Sequence, residues 1–239
     1  MNNNTTQKLS IIIPCYNEKE TIKEIIDQIN QINLGPIQKE VIIIDDYSTD
    51  GTQDILKTLN APQNHTILYN LKNYGKGYCI RYALSYCTGN IIIIQDADLE
   101  YDPRYYPTLI QPIITGQVAV VYGSRVRNKK NKTHSGVLFY LGGLLLTKLT
   151  NILFNSNLTD QPTCYKVFKT DTLKSLSLHE NRFGFCSEVT AQLLKKKITI
   201  HEVPISYNPR KKHEGKKIGI KDACRAIYIL FKYRLFTQL

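Results

Sequence analysis

The six cysteines, at positions 15, 79, 87, 164, 186 and 224, form no CxxC pair and follow no regular spacing. That removes the usual signature of a structural zinc site or a disulfide framework and makes a reducing compartment the simpler setting. The amino end lacks the basic start, apolar run and small-residue cleavage site of a secretory signal, so export is not expected. Nor is there a long uninterrupted apolar run. The longest, residues 137–154, contains Lys148, Asn151 and two glycines, and is expected to be an interfacial or core helix rather than a membrane span. Acidic residues are the minority charge, 20 against 31 Lys and Arg, and the net charge of +11 favours polyanions: nucleic acid, an anionic membrane face or a phosphorylated substrate. No RNA-recognition motif, zinc finger, internal repeat or low-complexity linker accompanies that charge. The basic runs at 127–132, 195–197 and 210–217 therefore read as solvated faces, and nucleic acid is not expected as a partner.

What is present fits one domain. At 239 residues, with 42% hydrophobic and 21% charged, the chain can bury a sizeable core. Residues 1–8 are expected to be a disordered tail, 9–217 the main domain, and 218–239 a basic amphipathic helix packed on the domain or on a membrane surface. The helix is read from Ile220, Ala223, Ile227 and Leu230 at three- and four-residue intervals, with Lys221, Arg225, Lys232 and Arg234 among them. Compact β-branched runs at 9–13, 41–44, 66–68 and 91–94 suit strands buried on both faces. Between them, 18–32, 51–59 and 76–87 read as helices. The alternation implies an α/β fold, a mainly parallel, Rossmann-like central sheet with helices on both faces. In the less regular second half, strands are expected at 118–122 and 198–203, and helices at 137–154 and 184–196.

In such a sheet ligands bind beyond the carboxyl ends of the strands. The polar clusters fall there: Pro14-Cys15-Tyr16-Asn17-Glu18 after the first run, Asp45-Asp46-Tyr47-Ser48 after the second, and Gln95-Asp96-Ala97-Asp98 after the fourth. Asp96 and Asp98, two apart after a buried strand, would share one side of an extended backbone. Two such carboxylates repel, and a divalent cation would relieve the repulsion while engaging pyrophosphate oxygens; Glu100 continues the period as a third ligand. The plainer reading is solvated acids in a turn. Lys76, between Gly75 and Gly77, lacks the pattern of a Walker loop and reads either as a phosphate or sugar contact or as a solvated helix start. Arg125 suits a phosphate gripped through two oxygens, or an ordinary surface position.

Taken in order, SIIIPCYNE from Ser10, VIIIDDYSTDGT from Val41, NYGKG from Asn73, QDADLEYDP from Gln95 and Gly123-Ser124-Arg125 resemble the family 2 glycosyltransferases. The chain is similar to their branch of dolichol- and polyprenyl-phosphate mannosyltransferases. The likeness continues through DQPTCYK from Asp160, Phe183-Gly184-Phe185 with Glu188, and EVPISY from Glu202. It implies the GT-A fold and a nucleoside diphosphate-sugar donor, with Pro14, Tyr16, Glu18 and Asp46 lining the nucleoside pocket, Glu18 toward the ribose and Asp46 toward the base. On a plainer view Pro14 and Tyr16 shape a turn and Asp46 caps a helix. It also implies Mg2+ or Mn2+ at Asp96, Asp98 and Glu100, with Asp98 and Arg125 as catalytic residues. Arg210 and Lys211, with Lys212, Lys216 and Lys217, resemble the family's basic loop facing donor or lipid phosphate, although RKKHEGKK here departs from the usual Arg-x-x-Gly-x-Ser-Lys.

The implied reaction is inverting transfer of a hexose, mannose or glucose, to polyprenyl phosphate by a protein held peripherally at the cytoplasmic face of an anionic membrane. Charge building on the departing diphosphate calls for cations aimed at it. A phosphate acceptor, with a second pKa of about 6, is already ionised at neutral pH. A sugar-hydroxyl or protein acceptor, the alternative, would need a base, for which Asp160 and Glu188 are the candidates. Cys164-Tyr165-Lys166, where related enzymes more often carry Gly-Phe-Arg, leaves the acceptor open.

Overall fold

In the computed structural model, which describes residues 7–59, 63–131, 136–210 and 219–236, the β-branched runs of the first half form β1 (Lys8–Cys15), β2 (Gln38–Asp45), β3 (His65–Tyr69) and β4 (Ile91–Ile94). The isoleucines of β1, β2 and β4 are buried on both sides of the sheet, which is why these runs do not alternate with polar residues. β1 begins one residue before the expected boundary: Lys8 pairs with Gln38, and its ammonium lies 2.6 Å from Glu40. The crossovers are α1 (Ile22–Gln31), α2 (Thr52–Thr58) and α3 (Lys76–Ala83). α1 buries Ile22, Ile25, Ile26 and Ile29, one face of a 3.6-residue helix. It starts four residues later than expected because Asn17 turns the chain with φ of 50°, and the Glu18 carbonyl caps the first turn by accepting from Thr21 and Ile22 N–H.

The second half supplies α4 (Tyr106–Ile114), β5 (Val120–Ser124), α5 (Val137–Phe154), β6 (Lys166–Lys169), α6 (Thr170–Lys174), α7 (Phe185–Lys195), β7 (Ile200–Pro204) and α8 (Ile220–Leu235). The strand order is β3-β2-β1-β4-β6-β5-β7. All pairings are parallel except those of β6, which runs antiparallel to both β4 and β5. One core lies on the α1 and α4 side of the sheet and another on the α3 and α7 side. A third joins Ala191 of α7 to Ile229, Leu230 and Tyr233 of α8, with Leu146, Leu149 and Leu153 of α5 packed against them.

The rotation of α8 differs from the expected stripe. It buries Ala226, Ile229, Leu230 and Tyr233, and leaves Ile220 and Ala223 exposed. Polar anchors set this rotation: Tyr233 Oη–H donates to buried Glu188 at 2.8 Å, and Arg225 forks onto Glu180 at 2.7 and 3.1 Å. Among the described residues no helix is long and apolar enough to cross a membrane.

Candidate active site

The loops after β1 and β2 are laced together. Asn17 N–H donates to Ser48 Oγ, Glu18 N–H to Thr52 Oγ1, and Thr49 N–H to Asn17 Oδ1, at 2.8 to 2.9 Å. This lacing presents Tyr16 and Glu18, after Pro14 at the end of β1, at the carboxyl edge of the sheet. Asp46 is turned inward: its oxygens accept from the Asn70 amide and from Tyr74 and Gly75 N–H at 2.7 to 2.9 Å, so it organises the 70–75 loop. Its neighbour Asp45 accepts from Ser48 N–H and Gln53 through Oδ2, while buried Oδ1 has no hydrogen-bond partner among the described residues.

β4 stops at Ile94, and Leu99 takes φ of 60°, so Asp96 and Asp98 stand on a turn rather than on the extended backbone their spacing suggests. Both nevertheless face cations. Lys76 hydrogen-bonds Asp96. Burial opposes charge on each partner, but their attraction outweighs it, holding the Asp96 carboxyl below its ordinary range and the Lys76 ammonium above its own. Arg210 reaches back from beyond β7: its guanidinium lies 2.5 Å from Glu18 and 3.6 Å from Asp98, and donates to the Asp98 carbonyl at 3.1 Å. Glu100 is drawn aside, accepting from Arg210 N–H and from Tyr207 Oη–H, both at 2.9 Å. Among the described residues no three His, Cys, Asp or Glu side chains are grouped to hold a metal ion. Asp96 and Asp98 offer hard oxygen donors of the kind a divalent ion takes, with Lys76 and Arg210 balancing their charge in this structure, and Glu100 holds the Tyr207–Arg210 segment.

Lys76 is aimed by glycines the sequence brackets around it. Gly75 has φ of 98°, and a Cβ there would fall 2.5 Å from the Asn181 carbonyl oxygen; at Gly77 it would fall 2.2 Å from that of Glu180. Tyr78 N–H donates to Asn181 O at 3.0 Å, and Arg81 donates to Glu180 O at 2.5 Å. The 180–182 segment therefore fixes the start of α3.

On the other side of Glu100 lies a cleft built around an ion pair. Arg125, just past β5, forks onto buried Asp160 through Nε and Nη2 at 2.8 and 2.7 Å, and its guanidinium sits 5.0 Å from the Tyr207 ring centre. Asp160 is itself placed by Glu202, which accepts from Thr159 and Asp160 N–H at 2.9 to 3.0 Å. The cleft is lined by Arg125, Asp160 and Tyr207 together with Tyr140, Leu144 and Thr147 of α5. Glu188 does not join it. One per cent exposed, Glu188 accepts from His179 and Glu180 N–H at 2.9 to 3.0 Å and from Tyr233, fastening the 179–180 segment and α8 to α7.

The structure thus brings Glu18, Lys76, Asp96, Asp98, Glu100 and Arg210 to one edge, with Arg125 and Asp160 beyond Tyr207; Lys211 lies outside the described residues. Sequence reading passed over Tyr207 and Tyr101, which flank Arg125, although both occur in the segments that carried the resemblance.

Residues 10–176 match the family described as Glycosyl transferase family 2. The chain is 31% identical over 213 residues to a UDP-N-acetylglucosamine–dolichyl-phosphate N-acetylglucosaminyltransferase of Methanococcus voltae, covering 82% of this chain and 83% of that protein. It is 29% identical over 204 residues to the low-salt glycan biosynthesis hexosyltransferase Agl6 of Haloferax volcanii, covering 84% of this chain. It is 27% identical over 236 residues to the dolichol-phosphate mannosyltransferase of Pyrococcus furiosus, covering 95%. The chain spans 48% and 64% of the lengths of the Haloferax and Pyrococcus proteins. Glucosyl-3-phosphoglycerate synthase of Mycobacterium tuberculosis, solved with Mg2+ and uridine diphosphate, superposes with a TM-score of 0.75 at 17% identity, covering 97% of this chain and 81% of that one. The fold is GT-A. On its matched residues and its relatives, the chain belongs to glycosyl transferase family 2.

Proposed function

We propose that this protein transfers a hexose unit, mannose or glucose, from a nucleoside diphosphate-sugar to a polyprenyl phosphate, inverting the anomeric centre in a single displacement, at the cytoplasmic face of a membrane. The observation that carries the choice of acceptor is the commitment of both candidate bases. Asp160 is forked by Arg125 and Glu188 is saturated by N–H and O–H donors deep in the core, so neither is placed to take a proton from an alcohol. An acceptor that arrives ionised needs no base, and a phosphate monoester does so. The relatives' names, which include two dolichyl-phosphate acceptors, agree.

In this reading Glu18 and the 16–18 loop hold the nucleoside. Lys76, kept charged by Asp96, faces the diphosphate whose negative charge grows as the bond to the sugar breaks. Asp96 and Asp98 would hold Mg2+ or Mn2+, which when bound supplies further neutralisation of that leaving group. Arg210, resting on Glu18 and Asp98, turns to the donor phosphates as they enter. Asp160 orients Arg125, which uses its remaining N–H groups to seat the acceptor phosphate, with the isoprenoid running along Tyr140 and Leu144.

The pH profile tests the absence of a base. With a water-soluble short-chain prenyl phosphate, kcat/KM is expected to rise through about pH 6 with the acceptor's own second ionisation and then level, and the corresponding prenyl alcohol to be inert. Turnover of the alcohol, lost in Asp160→Asn, would instead establish a hydroxyl acceptor.

A further inference from the structure

The strap of residues 177–182 links α7 and α8 to the start of α3, and its residues 177–181 belong to no helix or strand. Side-chain anchors therefore set where it lies. Gln192 of α7 accepts from Ser177 N–H at 2.9 Å and donates to Ser177 O at 2.7 Å, and Glu188 takes the N–H groups of His179 and Glu180. From α8, Arg225 forks onto the Glu180 carboxylate, and Asp222 lies 3.7 Å from Arg182. Gly184 leaves room for this meeting: a Cβ there would fall 2.7 Å from Glu180 Oε2 and 2.6 Å from Ile229 Cδ1 of α8. The strap turns its carbonyls to α3. Those of Glu180 and Asn181 accept from Arg81 and from Tyr78 N–H, and they close on Gly77 and Gly75, the residues either side of Lys76. Arg81 also donates to Asn181 Oδ1 at 2.6 Å.

We propose that Arg225 is a positioning residue for the donor site: by holding Glu180 it seats the 180–182 backbone against α3 and so aims Lys76 at the donor's diphosphate. The path has little slack. Gly75 and Gly77 are packed so closely on the strap that a shift of its backbone moves the residues that carry Lys76, since close-packed atoms transmit displacement. A misplacement of about 1 Å at a group facing developing charge can cost on the order of 100-fold in rate. The fork suits this task better than a single contact, because two parallel bonds fix the plane of the carboxylate. Glu180 is buried while Arg225 is half-exposed, so the arginine can be changed without opening the core. Both the strap and α8 lie beyond residues 10–176, the stretch matched to the family. The inference rests on the reading of Lys76 as the cation that meets the diphosphate, and extends that reading to the C-terminal helix.

Calorimetric titration of the full chain with GDP and with UDP, each with Mg2+, tests the path. Arg225→Gln is expected to weaken binding of the preferred nucleotide by about tenfold, and Lys76→Met by at least as much. The two together are expected to weaken it no more than Lys76→Met alone, because Arg225 acts through Lys76. Arg225→Lys, which restores one contact, is expected to recover part of the loss. The KM for a short-chain prenyl phosphate is expected to stay at its wild-type value, which a general loosening of the fold would not preserve. Glu180→Gln, which keeps the backbone carbonyl, repeats the comparison from the other end of the fork and guards against misfolding of the first variant. Wild-type affinity in both Arg225→Gln and Glu180→Gln would overturn the proposal, as would losses that add in full to that of Lys76→Met. Lys76→Met without effect on nucleotide affinity would overturn it together with the reading of Lys76. Nucleotide affinities as expected, with no transfer to the prenyl phosphate, would leave the positioning path standing and remove the acceptor reading.

Discussion

Single buried side chains separate structural work from chemistry in this protein. Glu188 stands in a segment that resembles the family's and invites a catalytic role, but its position inside α7, with Tyr233 and the 179–180 backbone on its oxygens, makes it a fastener. Glu188→Gln is expected to cost about 1–3 kcal/mol of stability by weakening charge-assisted bonds, seen as a lower urea midpoint, with kcat of the folded enzyme within a few-fold of wild type. Loss of kcat without loss of stability would restore it as a base. Lys166 makes a second case. Fully buried, it donates to Gln161 O at 2.9 Å and sits 3.6 Å from the Tyr122 ring centre, and burial pushes its pKa down from 10.5 to about 8. Between those values the unfolded chain holds the proton and the folded chain does not, so Lys166 favours folding most above pH 10.5 and that contribution is lost as pH falls through 8. Lys166→Met is accordingly expected to gain on wild type at pH 7, with the difference shrinking by about 3 kcal/mol toward pH 10.5, as read by urea unfolding across that range. A difference independent of pH would contradict it.

At the scale of elements, legibility followed how directly local pattern dictates structure. The isoleucine runs of β1, β2 and β4 announce strands buried on both faces, and α5 has the bounds its apolar run suggests. β6 escaped notice because four residues flanked by lysines, KVFK, carry no strand period, and its antiparallel insertion between β4 and β5 is a tertiary choice. α4 was not among the expected helices; its run carries Pro107 and Pro112, of which Pro107 falls in the first turn, where no N–H is needed. The start of α3 mixes both kinds of information: Gly75 and Gly77 are conspicuous in sequence, but the carbonyls of Glu180 and Asn181 that require them come from about a hundred residues away. Gly77→Ala is expected to destabilise the fold by about 2–4 kcal/mol through overpacking against backbone, and to raise KM for the nucleotide-sugar as Lys76 is displaced. A melting temperature and KM both at wild-type values would show that this approach is not required.

Across the whole molecule, the acidic edge was readable because its residues follow strands whose ends must converge in a parallel sheet. Its pairing was not. Arg210 meets Glu18 and Asp98 by returning from the far end of the domain, Tyr207 couples Glu100 to Arg125, and no local spacing encodes either contact. Together they bring the Asp96, Asp98, Lys76 and Arg210 cluster beside the Arg125–Asp160 pair, with the Asp98–Tyr101 turn between them. The most direct measurement is therefore formation of lipid-linked sugar from GDP-mannose and from UDP-glucose with Mg2+ or Mn2+, in the presence of polyprenyl phosphate, for wild type beside Asp98→Asn. The account predicts product from one donor that requires both metal and lipid phosphate and falls at least about 100-fold in Asp98→Asn; product formed equally by the variant, or by wild type with metal chelated, would contradict it.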